Sequence, residues 1–168
     1  MLIKFFSLNN LLLSLVVLFI SITLIHSEDL FIEIDNPKFS EKGLNDKAYE
    51  IKANKGFKSG ENLRLETIEG KFRSNDGTWI YLKADNGNFS QTSNKITLNR
   101  NINFYTDRNE SFLSDYAKYD IDKNFIELEE NVKHTSDLGI ITSNRSVIRE
   151  FSQILYTGNV ETKIYLRD

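Results

Sequence analysis

The sequence predicts an all-β domain, an antiparallel rolled or V-shaped stack of about ten to thirteen short strands, behind one N-terminal transmembrane helix. Three observations carry this. Beyond residue 30, apolar and polar residues alternate with the period of two that puts every second side chain on one face of a strand, and no stretch shows the 3.6-residue period of an amphipathic helix. A short pattern returns at intervals of about thirty residues, the mark of a repeated structural unit. The first 27 residues hold Lys4 as their only Lys or Arg, contain no Asp or Glu, and are mostly apolar.

In chain order, the apolar segment comes first. Leu11 to Ile25 carries no charge, and Phe5 to Ile25 is just long enough to cross a bilayer core, which takes about 20 helical residues. Lys4 and the α-amino group precede it and Glu28 and Asp29 follow, so the positive-inside rule leaves the N-terminus in the cytoplasm and the rest outside. A cleaved secretory signal, whose apolar core runs to about 7 to 15 residues, is the competing reading. Ile25-His26-Ser27 is a poor match to a small-residue cleavage site, which favours a retained anchor over residues 1–27 and leaves the signal as the alternative.

Residues 28–168 then fit a single domain of ordinary size. Tyr49, Ile51 and Ala53 share one face against Glu50 and Lys52; Leu63 and Leu65 oppose Arg64 and Glu66; Ile80 and Leu82 oppose Tyr81 and Lys83. Ile96 with Leu98, Ile102 with Phe104, Ile126 with Leu128, and Val160 with Thr162 and Ile164 continue the series. Turn chemistry falls between strands at Lys58-Ser-Gly-Glu, Asn75-Asp-Gly, Asp107-Arg-Asn, Asp122-Lys-Asn and Asp137-Leu-Gly. The repeat is visible as Lys95-Ile-Thr-Leu-Asn-Arg-Asn-Ile102, Phe125-Ile-Glu-Leu-Glu-Glu-Asn-Val132 and Gln153-Ile-Leu-Tyr-Thr-Gly-Asn-Val160, in which Asn101, Asn131 and Asn159 are expected to close equivalent turns. A second pattern precedes each: Ala84-Asp-Asn-Gly-Asn-Phe89, Ser114-Asp-Tyr-Ala-Lys-Tyr119 and Ser143-Asn-Arg-Ser-Val-Ile148, with Ala53-Asn-Lys-Gly-Phe57 as an earlier copy.

Composition removes several classes of function. With no cysteine, disulfides, thiol catalysis, cysteine-based zinc sites and a bacterial lipoprotein anchor are all excluded. The formal charge is −3, and Lys4 is the one cation in the apolar segment, so the domain itself is more acidic still, which argues against a nucleic-acid partner. A single proline, Pro37, beside many β-branched and aromatic residues suits a sheet. Asp120-Ile-Asp-Lys-Asn124 begins like a calcium loop, but Phe125 and Asn131 stand where glycine and a bidentate glutamate are required, so it reads as a hairpin turn. His26 and His134 lie far apart, without the supporting ligands or local signature of a zinc site or a nucleophile triad. Glu127, Glu129 and Glu130 read as a solvated face on a strand edge. No phosphate-binding glycine motif is present, so no cofactor, metal or catalytic residue is expected.

Asp35-Asn-Pro-Lys-Phe39, Ala48-Tyr-Glu-Ile-Lys-Ala53, Trp79-Ile-Tyr-Leu-Lys-Ala-Asp85 and the returning Ile-x-Leu-x-x-Asn-Val segments, taken in this order behind an apolar anchor, resemble the LptC family. That family is the membrane-anchored component of the lipopolysaccharide export machinery of Gram-negative bacteria. The resemblance covers nearly the whole chain and lies in the order of parts, since each motif alone is ordinary hairpin vocabulary. It implies a periplasmic β-jellyroll on a single-pass inner-membrane anchor, receiving lipopolysaccharide from an inner-membrane ATP-binding-cassette (ABC) transporter and passing it to a soluble periplasmic β-jellyroll partner. Gly139 resembles a glycine that the family places ahead of its last strands, and the compact end at Asp168 departs from the pattern and would shorten the edge offered to a partner.

On this reading the lipid-binding groove is lined by Tyr49, Ile51, Leu65, Ile80, Leu82, Ile96, Leu98, Ile102, Phe104, Ile126, Leu128 and Val132, and the partner edge contains Gly139, Val160, Thr162 and Ile164. The physics is compatible, because burying an acyl chain contributes about 0.8 kcal/mol per methylene and an unpaired terminal strand can add a partner's strand. Alternation alone favours an ordinary closed core, and it is the resemblance that turns part of this face into a groove. A soluble bridge protein of the same class, with its signal removed, or a structural periplasmic β protein is the alternative.

Overall fold

The computed structural model describes residues 32–42, 48–74, 77–150 and 152–166, all in strands, turns and connections. Among the described residues no helix is long and apolar enough to cross a membrane, and the predicted anchor over residues 1–27 lies outside them. The strands are β1 (Ile32–Asp35), β2 (Lys38–Lys42), β3 (Ala48–Ser59), β4 (Asn62–Arg73), β5 (Trp79–Ser90), β6 (Lys95–Thr106), β7 (Ser111–Asp120), β8 (Phe125–Ser136), β9 (Gly139–Arg149), β10 (Gln153–Thr157) and β11 (Glu161–Ile164). They form one antiparallel 11-stranded sheet in the order β1-β3-β4-β5-β6-β7-β8-β9-β10, with β2 also on β3 and β11 also on β9. Each hairpin neighbour in sequence is thus a neighbour in space, as the turn signals predict.

The strands are longer than the sequence suggests. Ile96-Leu98 and Ile102-Phe104 belong to one strand, as do the two halves of β3, β4, β5, β7, β8 and β9. Asn101 and Asn131 therefore do not close turns. They sit inside β6 and β8, in left-handed pairs with Arg100 and Glu130, at φ values of 67° and 50° for Arg100 and Asn101 and of 62° and 54° for Glu130 and Asn131. At each pair the register shifts against both neighbouring strands, so a β-bulge bends the strand without ending it. Asn159 differs again: with Gly158 it breaks the final strand into β10 and β11, and Asn36-Pro37 breaks the first into β1 and β2.

The bends align across the sheet and fold it onto itself. Phe72 on β4 and Tyr119 on β7 are separated by two intervening strands, yet their rings are 4.8 Å apart edge to face; Phe39 on β2 and Phe89 on β5 stand at 5.8 Å. Neighbouring strands are about 4.8 Å apart, so residues three strands away on a flat sheet could not touch. One layer contains β2, β11, the first halves of β3, β5, β7 and β9 and the second halves of β4, β6 and β8. The other layer contains β1, β10 and the remaining halves.

The second repeated pattern is the corner itself. In Ala53–Gly56, Ala84–Gly87, Ser114–Ala117 and Ser143–Ser146 a buried small residue stands on each side of two outward-facing residues. Small residues are needed on the concave side: a Cβ on Gly87 would lie 2.8 Å from both the Ile68 Cδ1 and the Thr97 carbonyl oxygen. The hydroxyls of Ser114 and Ser143 donate to the carbonyls of Tyr116 and Arg145, at 3.2 and 3.1 Å, satisfying backbone groups that the bend takes out of the ladder. On the convex side Asn101 Nδ2 donates to Asp85 at 2.8 Å and Asn131 Nδ2 to Asp115 at 2.6 Å, the same clasp repeated two strands on. Glu127, Glu129 and Glu130 belong to an interior strand rather than an edge, and Glu127 pairs with Arg145 on β9. Arg145 holds the Glu127 carboxyl below its ordinary value.

Candidate functional site

The predicted groove residues all come together on the inner side of the fold. Ile51, Leu65, Ile80, Leu82, Ile96, Leu98, Ile102, Phe104, Ile126, Leu128 and Val132 are each no more than 1% exposed, and Tyr49 is half-buried against Phe72. Leu63, Ile68, Phe72, Phe89, Phe112, Tyr119 and Ile148 complete the surface. Of these, Leu63 shares its predicted face with Leu65, while the others were not assigned to that face from the sequence, although most show the same alternation; Phe112 and Tyr119 belong to a strand whose inner parity changes at its corner. In this conformation the two layers close on each other and the inner face is a packed interior.

The polar groups within it are few. Tyr119 donates to Asn124 Oδ1 at 3.2 Å, and burial raises its phenol well above the ordinary value. His134, on the inner side of β8, lies between the rings of Phe112 at 4.1 Å and Tyr156 at 6.0 Å, both nearly parallel to it. Its Nδ1 shares a hydrogen bond with the Tyr156 hydroxyl, and its buried Nε2 has no partner. Burial pushes the imidazole below its ordinary value; burial and then the Glu110 carboxylate push Tyr156 up to about 12. Because β8 contributes this half to one layer and β10 lies in the other, the His134–Tyr156 pair bridges the layers. No group of three His, Asp or Glu among the described residues could hold a metal.

Beyond this bridge the inner face continues into the open. In β11, Thr162 lies opposite Ile141 and Ile164 opposite Gly139, so both have inner-face parity, yet Ile164 is 69% exposed. Val160, just ahead of β11, is 48% exposed. The expected edge residues are thus brought together, but they are uncovered where the alternation had suggested burial, because among the described residues no opposing strand reaches them. Gly139 has φ 153° and admits β11 at a distance no other residue would allow, with a virtual Cβ at 2.1 Å from the Lys163 carbonyl oxygen. Leu155, Tyr165 and Leu166 add exposed apolar surface to the same edge. Among the described residues the outward sides of β10 and β11 pair with no strand.

The opposite edge is of another kind. Pro37 packs on Gly56, where its Cγ would stand 3.1 Å from a Cβ, and the short β1 and β2 carry Glu33, Asp35 and Lys38, with Glu33 paired to Lys55 and Lys38 to Glu50. Proline and charge on a broken strand are features that discourage strand addition. No family model matches the chain, and no curated protein sequence matches it.

Proposed function

We propose that the chain is a lipopolysaccharide transport adaptor of the LptC type: a β-jellyroll on an inner-membrane anchor that takes lipopolysaccharide from an ABC transporter and passes it to a soluble periplasmic jellyroll. The observation that carries the reading is the continuity of the inner apolar face, which runs through every layer strand and emerges uncovered at Val160 and Ile164 beside a strand free to pair. An acyl chain entering between the layers would exchange one set of apolar contacts for another, so transfer needs no catalytic group, only separation of the layers. Strand addition at β11 would extend that face into the partner.

Photo-crosslinkers at Ile80, Leu98, Phe104 and Ile126 are expected to capture lipopolysaccharide in cells, while sites at Lys83 and Glu127 on the outer face are not. Equal labelling of the two sets rejects an internal path. The soluble-bridge alternative draws on the presence of strand edges at both ends of the sheet; intact mass of the mature protein separates the two, since loss of about 27 residues removes the anchor.

A further inference from the structure

The two outer faces differ in charge. On the layer that contains β2 and β11, pairing registers set one row across the sheet as Glu50, Lys71, Tyr81 and Tyr105, and a second as Lys52, Glu69, Lys83, Asn103, Leu113 and Lys133. Glu50 takes Lys38 and Lys52, whose hydrogen bonds hold its carboxyl at about 2, and Glu69 takes Lys83. Lys71, Arg73, Lys133 and Lys163 are left without a carboxylate partner among the described residues, against Glu161 and, at the end of β6, Asp107, whose carboxylate accepts from the Trp79 backbone N–H at 3.3 Å. On the other layer, Glu127 and Glu129 meet Arg145, Glu66 meets Arg64 and Asp120 meets Lys95. A chain of net charge −3 thus carries one locally basic face.

That face is also aromatic. Lys71 Nζ stands 4.0 Å from the Trp79 ring centroid and 5.6 Å from that of Tyr81, the Arg73 guanidinium lies 5.8 Å from Trp79, and Tyr81 stacks on Tyr105 at 5.1 Å. Leu113, 39% exposed, projects beside them. The depression at this row holds about 220 Å³, below the ~300 Å³ at which small-molecule pockets begin. A broad face of half-buried Trp and Tyr with unpaired Lys and Arg matches the headgroup zone of a bilayer, where aromatic rings settle at the interface and cations meet anionic lipid.

We infer that this outer face docks onto a membrane surface bearing anionic phospholipids. The inference is independent of lipopolysaccharide transport. It would set the roll on its side, with the mouth at β10 and β11 held parallel to the bilayer and open to a partner. Trp79 is the one tryptophan of the chain and reports on the face directly. The full chain is reconstituted in vesicles of phosphatidylcholine alone and of phosphatidylcholine with phosphatidylglycerol, each containing lipid spin-labelled near its headgroup. Trp79 emission is expected to shift to the blue and be quenched in the anionic vesicles only, and to revert at high salt. Lys133→Glu with Lys163→Glu, remote from the indole, should abolish both effects, as should Lys71→Glu with Arg73→Glu. Emission that is the same in both lipids, or quenching that survives the Lys133→Glu/Lys163→Glu exchange and high salt, overturns the inference.

Discussion

Replacing Gly139 with alanine isolates the β11 edge from the rest of the molecule. The new Cβ would meet three backbone atoms of β11, at 2.1 Å, 3.0 Å and 3.1 Å, so no side-chain rotation relieves the overlap. The backbone at φ 153° is itself a conformation that costs a residue with a Cβ about 1–3 kcal/mol. Against this stands the pairing of Glu161–Ile164 with Gly139–Thr142, which buries no apolar side chain of β11 and contributes on the order of 2–4 kcal/mol in backbone hydrogen bonds. Detaching β11 is therefore the cheaper response, and the core, which contains none of its residues, is left intact. Hydrogen exchange of the β11 amides should accelerate about 30- to 700-fold, and the free energy of global unfolding in urea should fall by no more than this pairing contributes, about 2–4 kcal/mol, because detachment caps the loss. Binding of the soluble partner should fall with β11 protection. Gly60→Ala is the control: at φ 58° with nothing within 4 Å of a Cβ, it strains a distant hairpin and leaves partner binding unchanged. Unchanged β11 protection in Gly139→Ala, or a global loss well beyond about 4 kcal/mol, would refute the separation of edge from core.

Other expectations follow from the corners and the interior. Gly87→Val should lower unfolding free energy in urea by at least about 2 kcal/mol, since its Cβ meets a carbonyl oxygen as well as Ile68. Asn131→Ala removes both the clasp to Asp115 and a residue suited to left-handed backbone, and should cost about 1–2 kcal/mol; Asn131→Gly keeps the backbone freedom and should cost less, an order that equilibrium denaturation can check. The folded-state depression of His134 makes the unfolded chain bind more protons between the folded value and 6.5. Stability from this residue is complete above that window and is lost as pH falls through it; urea midpoints should decline on acidification below 6.5, and His134→Phe should flatten that dependence. Ile164→Pro removes a backbone donor at the edge and should weaken partner binding while leaving membrane insertion unchanged.

Strand identity was legible because burial on one face forces a period of two, and Ile80, Leu82, Ile96 and Leu98 follow it. The corners were visible as a repeat but misread as turns. A left-handed Asn after a polar residue is the same local signal in a two-residue hairpin turn and in a bulge; only the continuation of β6 alongside β5 and β7 on both sides of Asn101 separates them. Position within the sheet was likewise hidden: Val160, Thr162 and Ile164 alternate like Ile102 and Phe104, but burial depends on an opposing layer, which the described residues supply at β6 and not at β11. The His134 bridge could not be read at all, since Tyr156 approaches it only when the sheet has folded.

The corners also explain how a closed interior could admit a lipid chain. The ladder hydrogen bonds run between neighbouring strands within each layer and across the crease, whereas the layers meet largely through rings such as Phe39 with Phe89 and Phe72 with Tyr119. Widening the crease would therefore leave the backbone ladder paired and expose apolar surface, the one kind of loss that an acyl chain restores. Two polar contacts, Ser74 to the Glu150 carbonyl and His134 to Tyr156, oppose the widening without apolar compensation. The second stands next to the uncovered Ile164 end and is the polar latch where the inner face meets the partner edge. Separating β10 from β8 there breaks one side-chain hydrogen bond and unstacks one ring, a smaller barrier than parting the layers at Phe104, where Tyr119 closes edge-on at 6.0 Å.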